Sequence, residues 1–202
     1  MDLTAGKELV SSGMTQEVAR CRSALERAAG GASVALVSSG DAGIYGMAGL
    51  VLELAAGLEK EIRIEIVPGV SAANAAAAKL GAPLMLDFAA LSLSDLLVPW
   101  PVIRRRLEAV AAADLVVALY NPRSRKRTRQ LEEAAKIFSA QRPGATPVGI
   151  ATALGSEEER IVLTTLDRFL DCEIGMRSLV IIGNRCSKVV RGWFVTPRGY
   201  EL

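Results

Sequence analysis

The chain has 202 residues, half of them apolar, 23% charged and 4% aromatic, enough for one full hydrophobic core or two small domains and too apolar for a disordered chain. Its net charge of +2 hides an asymmetry, because residues 1–100 carry 7 basic and 11 acidic groups and residues 101–202 carry 17 and 11, so the second half favours an anionic ligand. Three scattered cysteines, no histidine and uncharged stretches such as the 13 residues Ile66 to Ala78, broken by Pro68 and Gly69, exclude a disulfide scaffold, the commonest metal ligand and a membrane-spanning helix.

The acidic, polar segment opened by Met1 is unlike a signal peptide. The expected location is the cytoplasm, with no membrane and no metal. Lys7 to Ser11 reads as a short strand. Thr15, a plausible N-cap, then opens a helix to Ala29 whose apolar positions Val18, Cys21, Leu25 and Ala28 recur at helical spacing. An apolar run, Val34 to Val37, leads through the turn Ser38 to Gly43 into a small-residue helix ending at Ala56. Ile62 to Val67 is a further strand, Pro68-Gly69 a turn, and Ser71 to Leu80 a helix closed at Gly81. This βαβα order implies a mainly parallel sheet covered by helices.

Gly81-Ala82-Pro83 through Met85 marks a crossover, dividing an α/β domain, residues 1–82, from a mixed-sheet α+β domain, residues 83–202. In the second, a strand runs from near Phe88 to Leu93, and Pro101 to Ala112 is a helix with Arg104 to Arg106 on its wet side. Leu115 to Leu119 is a buried strand, Thr128 to Ala140 a helix and Pro147 to Thr152 a strand. Arg160 to Leu163, Leu179 to Ile182 and Gly192 to Val195 are strands, with a short helix at Leu166 to Phe169.

Three loops stand at the ends of strands, where α/β folds bind ligands. In Ser38-Ser39-Gly40-Asp41-Ala42-Gly43 the small residues permit close backbone approach, and Asp41 supplies a charge suited to ribose hydroxyls or a cation, or simply to capping. Pro68 to Asn74 combines a tight turn with Ser71, placed either to cap the Ala-rich helix or to meet a ligand. Tyr120-Asn121-Pro122-Arg123-Ser124 adds a ring, an amide and a guanidinium. The basic run Arg123, Arg125, Lys126, Arg127 and Arg129 fits a carboxylate or phosphate ligand, or else a solvated loop. Without interleaved aromatic residues it argues against nucleic acid. Neither GxGxxG nor GxxxxGK[ST] occurs.

Together these stretches resemble the tetrapyrrole (corrin/porphyrin) methylase family. The resemblance rests on Ser38 to Ala48 (SSGDAGIYGMA), Val67 to Ala72 (VPGVSA), Leu91 to Trp100 (LSLSDLLVPW), Leu119 to Ser124 (LYNPRS) and Val195 to Tyr200 (VTPRGY). The third and fourth are similar to the branch that methylates C17 of precorrin-3B.

The resemblance implies a two-domain fold with S-adenosylmethionine held between a parallel-sheet domain and a mixed-sheet domain, and S-adenosylhomocysteine as product. Gly40, Asp41, Ile44 and Tyr45 would lie by its methionine and ribose, Ser71 and Ala72 beside it, and Tyr120 and Asn121 near adenine, with the strand at Pro147 to Ala151 closing the pocket. Ser94, Asp95, Arg123 and Arg125 would face an anionic tetrapyrrole, with Arg104, Arg105 and Lys126 as further carboxylate partners. The implied reaction is C17 methylation of precorrin-3B with ring contraction to precorrin-4. A sulfonium methyl is already electrophilic, so the lack of histidine is no obstacle. The acid and base of ring contraction stay open among Asp41, Asp95 and Tyr120.

The family pattern also has a first strand and a GxGPG loop ahead of Asp2-Leu3-Thr4, which this sequence does not carry, and a Pro where Ala42 stands. A sheet without that strand is expected to leave an edge for another chain, with a homodimer or a second subunit as partner. Two alternatives remain open: the cobalt-containing substrate of the anaerobic route, and a catalytically impaired tetrapyrrole-binding subunit.

Overall fold

The computed structural model describes residues 4–13 and 15–201; Met1, Asp2 and Leu3, on which the readings of the chain's start rest, lie outside them. By packing, the chain divides into two compact units, Met1–Ser71 and Ala72–Leu202. The helix after Ser71 thus goes with the second unit, whereas the sequence reading draws the division at Ala82.

The first unit contains α1 (Glu17–Ala29) and α2 (Ala48–Ala55), which pack together. Cys21 and Leu25, one helical turn apart, form the buried stripe of α1. Its N-cap is Gln16, without a side-chain cap bond, rather than Thr15. Thr15 has φ +67°, and its N–H donates to Glu17 Oε1 at 3.1 Å, so the acidic side chain of the first turn closes this end instead of a Thr hydroxyl. Residues 7–13 lie along α1, tied by Arg20 to the Ser12 and Gly13 carbonyls at 3.0 and 2.8 Å and by an Arg27–Glu8 ion pair at 2.9 Å.

The three strands expected in this unit, at residues 7–11, 34–37 and 62–67, are not paired into a ladder among the described residues. A cavity of about 600 Å³ lies between the latter two segments, so neither meets the other's backbone groups.

The second unit is built on a five-stranded mixed sheet in the order β2-β3-β6-β4-β5, comprising β2 (Phe88–Ser92), β3 (Val116–Tyr120), β4 (Pro147–Thr152), β5 (Arg160–Thr165) and β6 (Ser178–Ile182). Only β2 and β3 run parallel; the remaining pairs are antiparallel. β3 and β6 are buried on both faces, and their period of two sorts their side chains cleanly. Val117, Leu119, Val180 and Ile182 join the core under α4 (Trp100–Ala112) and α5 (Arg129–Ser139). Val116, Ala118, Leu179 and Ile181 join the opposite core, under α3 (Ala72–Leu80).

Each helix supplies a matching stripe. Ile103, Leu107 and Ala111 recur every four residues on α4, leaving Arg104 to Arg106 exposed, and Leu131, Ala134, Ala135 and Phe138 line α5. Burying Phe138 contributes about 1.5–3 kcal/mol. Alanines at 72, 73, 75, 76 and 77 let α3 lie close against the sheet, where Gly149 of β4 faces Leu80.

A small second sheet, β1-β8-β7, is formed by β1 (Gly81–Ala82), β8 (Trp193–Val195) and β7 (Lys188–Val190), the last absent from the sequence reading because Lys188 and Arg191 obscure its pattern. Gly81, at φ +131°, turns the chain directly from α3 into β1. The short helix expected at Leu166 to Phe169 is a single 3-10 turn, Phe169–Asp171. No described helix is long and apolar enough to cross a membrane.

Candidate functional site

In the first unit, two loops meet through one carboxylate. Asp41 Oδ1 accepts the Gly43 N–H at 2.8 Å, and Oδ2 accepts the Gly69 N–H at 2.9 Å. These donors, Gly69 foremost, hold the carboxyl below its ordinary range and keep it anionic at neutral pH. Gly69 is required by close approach, since a Cβ there would lie 2.2 Å from the Gly40 carbonyl oxygen. Gly46 is similarly constrained, 2.4 Å from the Ala42 oxygen, where the Ala48 N–H donates to the same carbonyl at 3.0 Å.

This turn holds Gly40 at φ +77° and Tyr45 at φ +55°. Ile44 and Tyr45 remain about half exposed, at 46% and 55%. The structure therefore assembles Gly40, Asp41, Ile44 and Tyr45 on one tight turn stapled to the Val67 to Gly69 loop. Ser71 ends this unit and is buried.

In the second unit, the Tyr120 hydroxyl accepts the Ala73 N–H at 3.0 Å, satisfying an orphan donor in the first turn of α3. Tyr120 and Ala72 are thereby neighbours. The next residue, Asn121, sits at φ +49°, a strain that Asn tolerates better than most residues. Its Nδ2 donates to Ser92 Oγ at 3.0 Å, while Arg127 Nη2 donates to its carbonyl at 2.6 Å. Ser92 Oγ also accepts the Ser94 N–H at 3.2 Å, and Ser124 Oγ the Arg127 N–H at 3.1 Å. One network thus ties the Leu91 to Asp95 stretch to the Asn121 to Arg127 loop. The sequence reading places Arg127 only in the basic run and assigns nothing to Ser92; a positive φ at Asn121, which creates the need for both, leaves no mark in composition.

Asp95 is engaged away from that network, accepting Gln130 Nε2 at 2.7 Å. Arg123 stands 3.8 Å from Glu132 and is a quarter exposed. Arg123, Arg125 and Lys126 line one side of a shallow cavity of about 630 Å³ whose other side is Ile174, Gly175 and Met176. Arg125 and Lys126 are exposed and make no ion pair among the described residues. Arg104, by contrast, is occupied by Glu108 at 3.0 Å.

The model of the Tetrapyrrole (Corrin/Porphyrin) Methylases matches residues 3–170. The chain belongs to this family. It is 48% identical over 199 residues to the probable cobalt-factor III C(17)-methyltransferase of Salmonella typhimurium, covering 98% of this chain and 83% of that protein. It is also 42% identical over 199 residues to the precorrin-3B C(17)-methyltransferase of Sinorhizobium sp, covering 95% and 78%. Some relatives are far longer; the chain spans 38% of the cobalt-factor III methyltransferase of Priestia megaterium, with 46% identity. The crystal structure of the methyltransferase CobJ superposes with a TM-score of 0.88 at 36% identity, covering 96% of this chain and 82% of that one.

The protein is thus a methylase with the two-domain α/β fold of its family, and its methyl donor is S-adenosylmethionine. The described residues suit that donor. Asp41 is an anion held in place by two N–H donors, the residues around it at 40 and 43 are glycines, and Ile44 and Tyr45 are exposed, a surface with the charge and apolar area that a sulfonium cofactor requires.

Proposed function

We propose that this methylase transfers the methyl of S-adenosylmethionine to C17 of precorrin-3B, the step accompanied by ring contraction to precorrin-4 in cobalamin biosynthesis. The observation that carries the reading is the Asp41 staple, which fixes the turn Gly40 to Tyr45 in a chain similar over 95% of its length to a precorrin-3B C(17)-methyltransferase. Bound S-adenosylmethionine supplies an electrophilic methyl group. The protein's part is placement, by Gly40, Asp41, Ile44, Tyr45, Ser71, Ala72, Tyr120 and Asn121. Asp41 balances positive charge, and Tyr120, its hydroxyl committed to α3, presents its ring at a fixed angle.

The substrate's carboxylates meet Arg123, Arg125 and Lys126, with Ser94 and Asp95 on the stretch that the Ser92–Asn121 hydrogen bond ties to this loop. Arg125 and Lys126, free of ion pairs among the described residues, are the strongest of these. We place the enzyme in the cytoplasm, as a homodimer or in association with another chain; sedimentation velocity at several concentrations tests the association.

A second reading, methylation of the cobalt-containing substrate, is favoured by the 48% identity to the Salmonella relative. Titration calorimetry with S-adenosylmethionine, followed by turnover on each purified substrate read by mass spectrometry, decides between them. Methylated precorrin-3B supports the first reading, and methylation confined to the cobalt form supports the second. Donor binding without product on either substrate overturns both in favour of a tetrapyrrole-binding subunit.

A further inference from the structure

The shallow cavity of about 630 Å³ in the second unit has two walls of opposite character. One is built on the turn Ser124 to Arg127, which two hydrogen bonds between its first and last residues close: the Ser124 N–H donates to the Arg127 carbonyl at 2.9 Å, and Ser124 Oγ accepts the Arg127 N–H at 3.1 Å. Arg125 and Lys126 are therefore the tip of a tight turn, exposed and without an ion pair among the described residues. Arg123, which leads into it, keeps only a 3.8 Å approach to Glu132, and its Nε is buried with no hydrogen-bond partner among the described residues. This wall carries uncompensated positive charge.

The opposite wall is Ile174 to Met176, and charge is cancelled on both of its flanks. Glu173 pairs with Arg160 at 2.6 Å and Arg177 pairs with Glu158, so the three residues between them bring no charge to the cavity. The wall is also fixed. Buried Ser178 accepts the Gly175 N–H on its Oγ at 3.0 Å and shares a 2.8 Å hydrogen bond with Thr152 of β4, while the Arg177 carbonyl accepts the Ala153 N–H at 3.0 Å. Ile174 is anchored in the core, whereas Met176 is 49% exposed, an unbranched thioether at the groove. Such a side chain adapts to the face of a conjugated ring.

From these two walls we infer that Met176, backed by Ile174 and Gly175, is a platform for the ring face of an anionic macrocycle whose carboxylate arms reach Arg125 and Lys126, and that it makes the groove select a macrocycle over a small polycarboxylate. The inference rests on the proposed reading of those cations as the substrate's carboxylate partners and adds the surface opposite them. A phosphate or an open-chain acid would use the cationic wall and leave the apolar one in water. A ring with carboxylates at its rim uses both, by apolar burial on one side and charge-assisted hydrogen bonds on the other. The cavity's volume lies in the range of about 300–1,000 Å³ that small-molecule sites occupy.

The test uses the full 202-residue chain without S-adenosylmethionine, so methyl transfer plays no part in it. Binding is followed for uroporphyrin I, a porphyrin octacarboxylate, by fluorescence anisotropy, and for butane-1,2,3,4-tetracarboxylate, an open-chain acid, by calorimetry. Met176→Gln keeps the length of the side chain and removes its apolar character. It is expected to weaken porphyrin binding at least tenfold while leaving the open-chain acid and the melting temperature unchanged, and Met176→Leu is expected to restore the porphyrin. Arg125→Met should weaken both ligands. Equal porphyrin affinity in the unaltered chain and Met176→Gln, with binding still lost in Arg125→Met, overturns the platform and leaves the carboxylate reading standing. Parallel loss of both ligands in Met176→Gln also overturns the platform, and absence of porphyrin binding by the unaltered chain overturns both.

Discussion

The carboxylate of Asp41 accepts the main-chain N–H of Gly69 at 2.9 Å, joining two loops 28 residues apart in sequence. Their approach is so close that Gly69→Ala would set a methyl 2.2 Å from the Gly40 oxygen, a backbone atom that moves only if the turn opens. The expected result is at least a tenfold loss of S-adenosylmethionine affinity by calorimetry. Asp41→Asn keeps the shape but loses the anion and one of the two accepted N–H bonds, and is expected to weaken binding less than the glycine substitution. Unchanged affinity in both variants would remove this staple from the donor site.

Acid should act on the same bond. The Gly69 and Gly43 donors depress Asp41; the Trp100 indole at 2.8 Å, then Arg129, depress Glu133; and the Gly155 N–H, then Lys79, depress Glu159. A carboxyl depressed by folding stabilises the fold above its unfolded value, here near 3.8 for Asp and 4.5 for Glu, and that contribution is lost as pH falls through the lower folded value. Melting temperature is expected to be flat from neutrality to about pH 5 and to fall below it. Asp41→Asn should shallow that fall, and an acid limb left unaltered by this substitution would deny the carboxylate its role.

Tyr120→Phe deletes the acceptor of the Ala73 N–H and leaves the ring in place. The loss of one cap-like bond at the start of α3 is expected to cost about 0.5–2 kcal/mol in urea unfolding. Donor affinity should change little if the ring is what meets the purine. Loss of affinity with no loss of stability would instead assign the hydroxyl to the ligand.

Arg127 is a positioning residue. It holds the Asn121 carbonyl at 2.6 Å while Asn121 keeps a left-handed backbone. Arg127→Met retains the aliphatic stem and frees the loop, so KM for S-adenosylmethionine is expected to rise several-fold. Arg125→Met, which changes an exposed side chain without an ion pair among the described residues, should raise KM for the tetrapyrrole instead. A reversed pattern in steady-state kinetics would exchange the two roles.

The second unit was readable because its signals are local and redundant. β3 and β6 are unbroken apolar runs, α4 and α5 carry one buried stripe each, and their limits fall within a residue or two of the periodicity. The first unit was readable as motifs but not as paired strands, since Val34 to Val37 and Ile62 to Val67 have strand composition, yet no ladder joins them among the described residues. In the loops, residue types single out Asp41 and Tyr120, and each accepts a main-chain N–H in the structure. Their partners, Gly69 and Ala73, offer main-chain N–H groups that every residue but proline possesses, so only the fold reveals them.

Gly149 gives the sharpest test of how α3 sits on its sheet. A Cβ there would lie 2.3 Å from Leu80 Cδ1, and Leu80 is buried, so its side chain has little room to turn away. Replacing a strand glycine by alanine ordinarily gains about 0.4–1 kcal/mol through the unfolded chain. Overpacking costs about 1–3 kcal/mol, so the clash wins and Gly149→Ala is expected to destabilise. Leu80→Ala alone should cost about 2–5 kcal/mol by leaving a cavity. Combined, the new methyl occupies part of the space that the leucine vacates, and the double variant should be more stable than the sum of the two single losses predicts. Strict additivity across this double-mutant cycle would show that Gly149 and Leu80 are not in contact, and that α3 packs elsewhere.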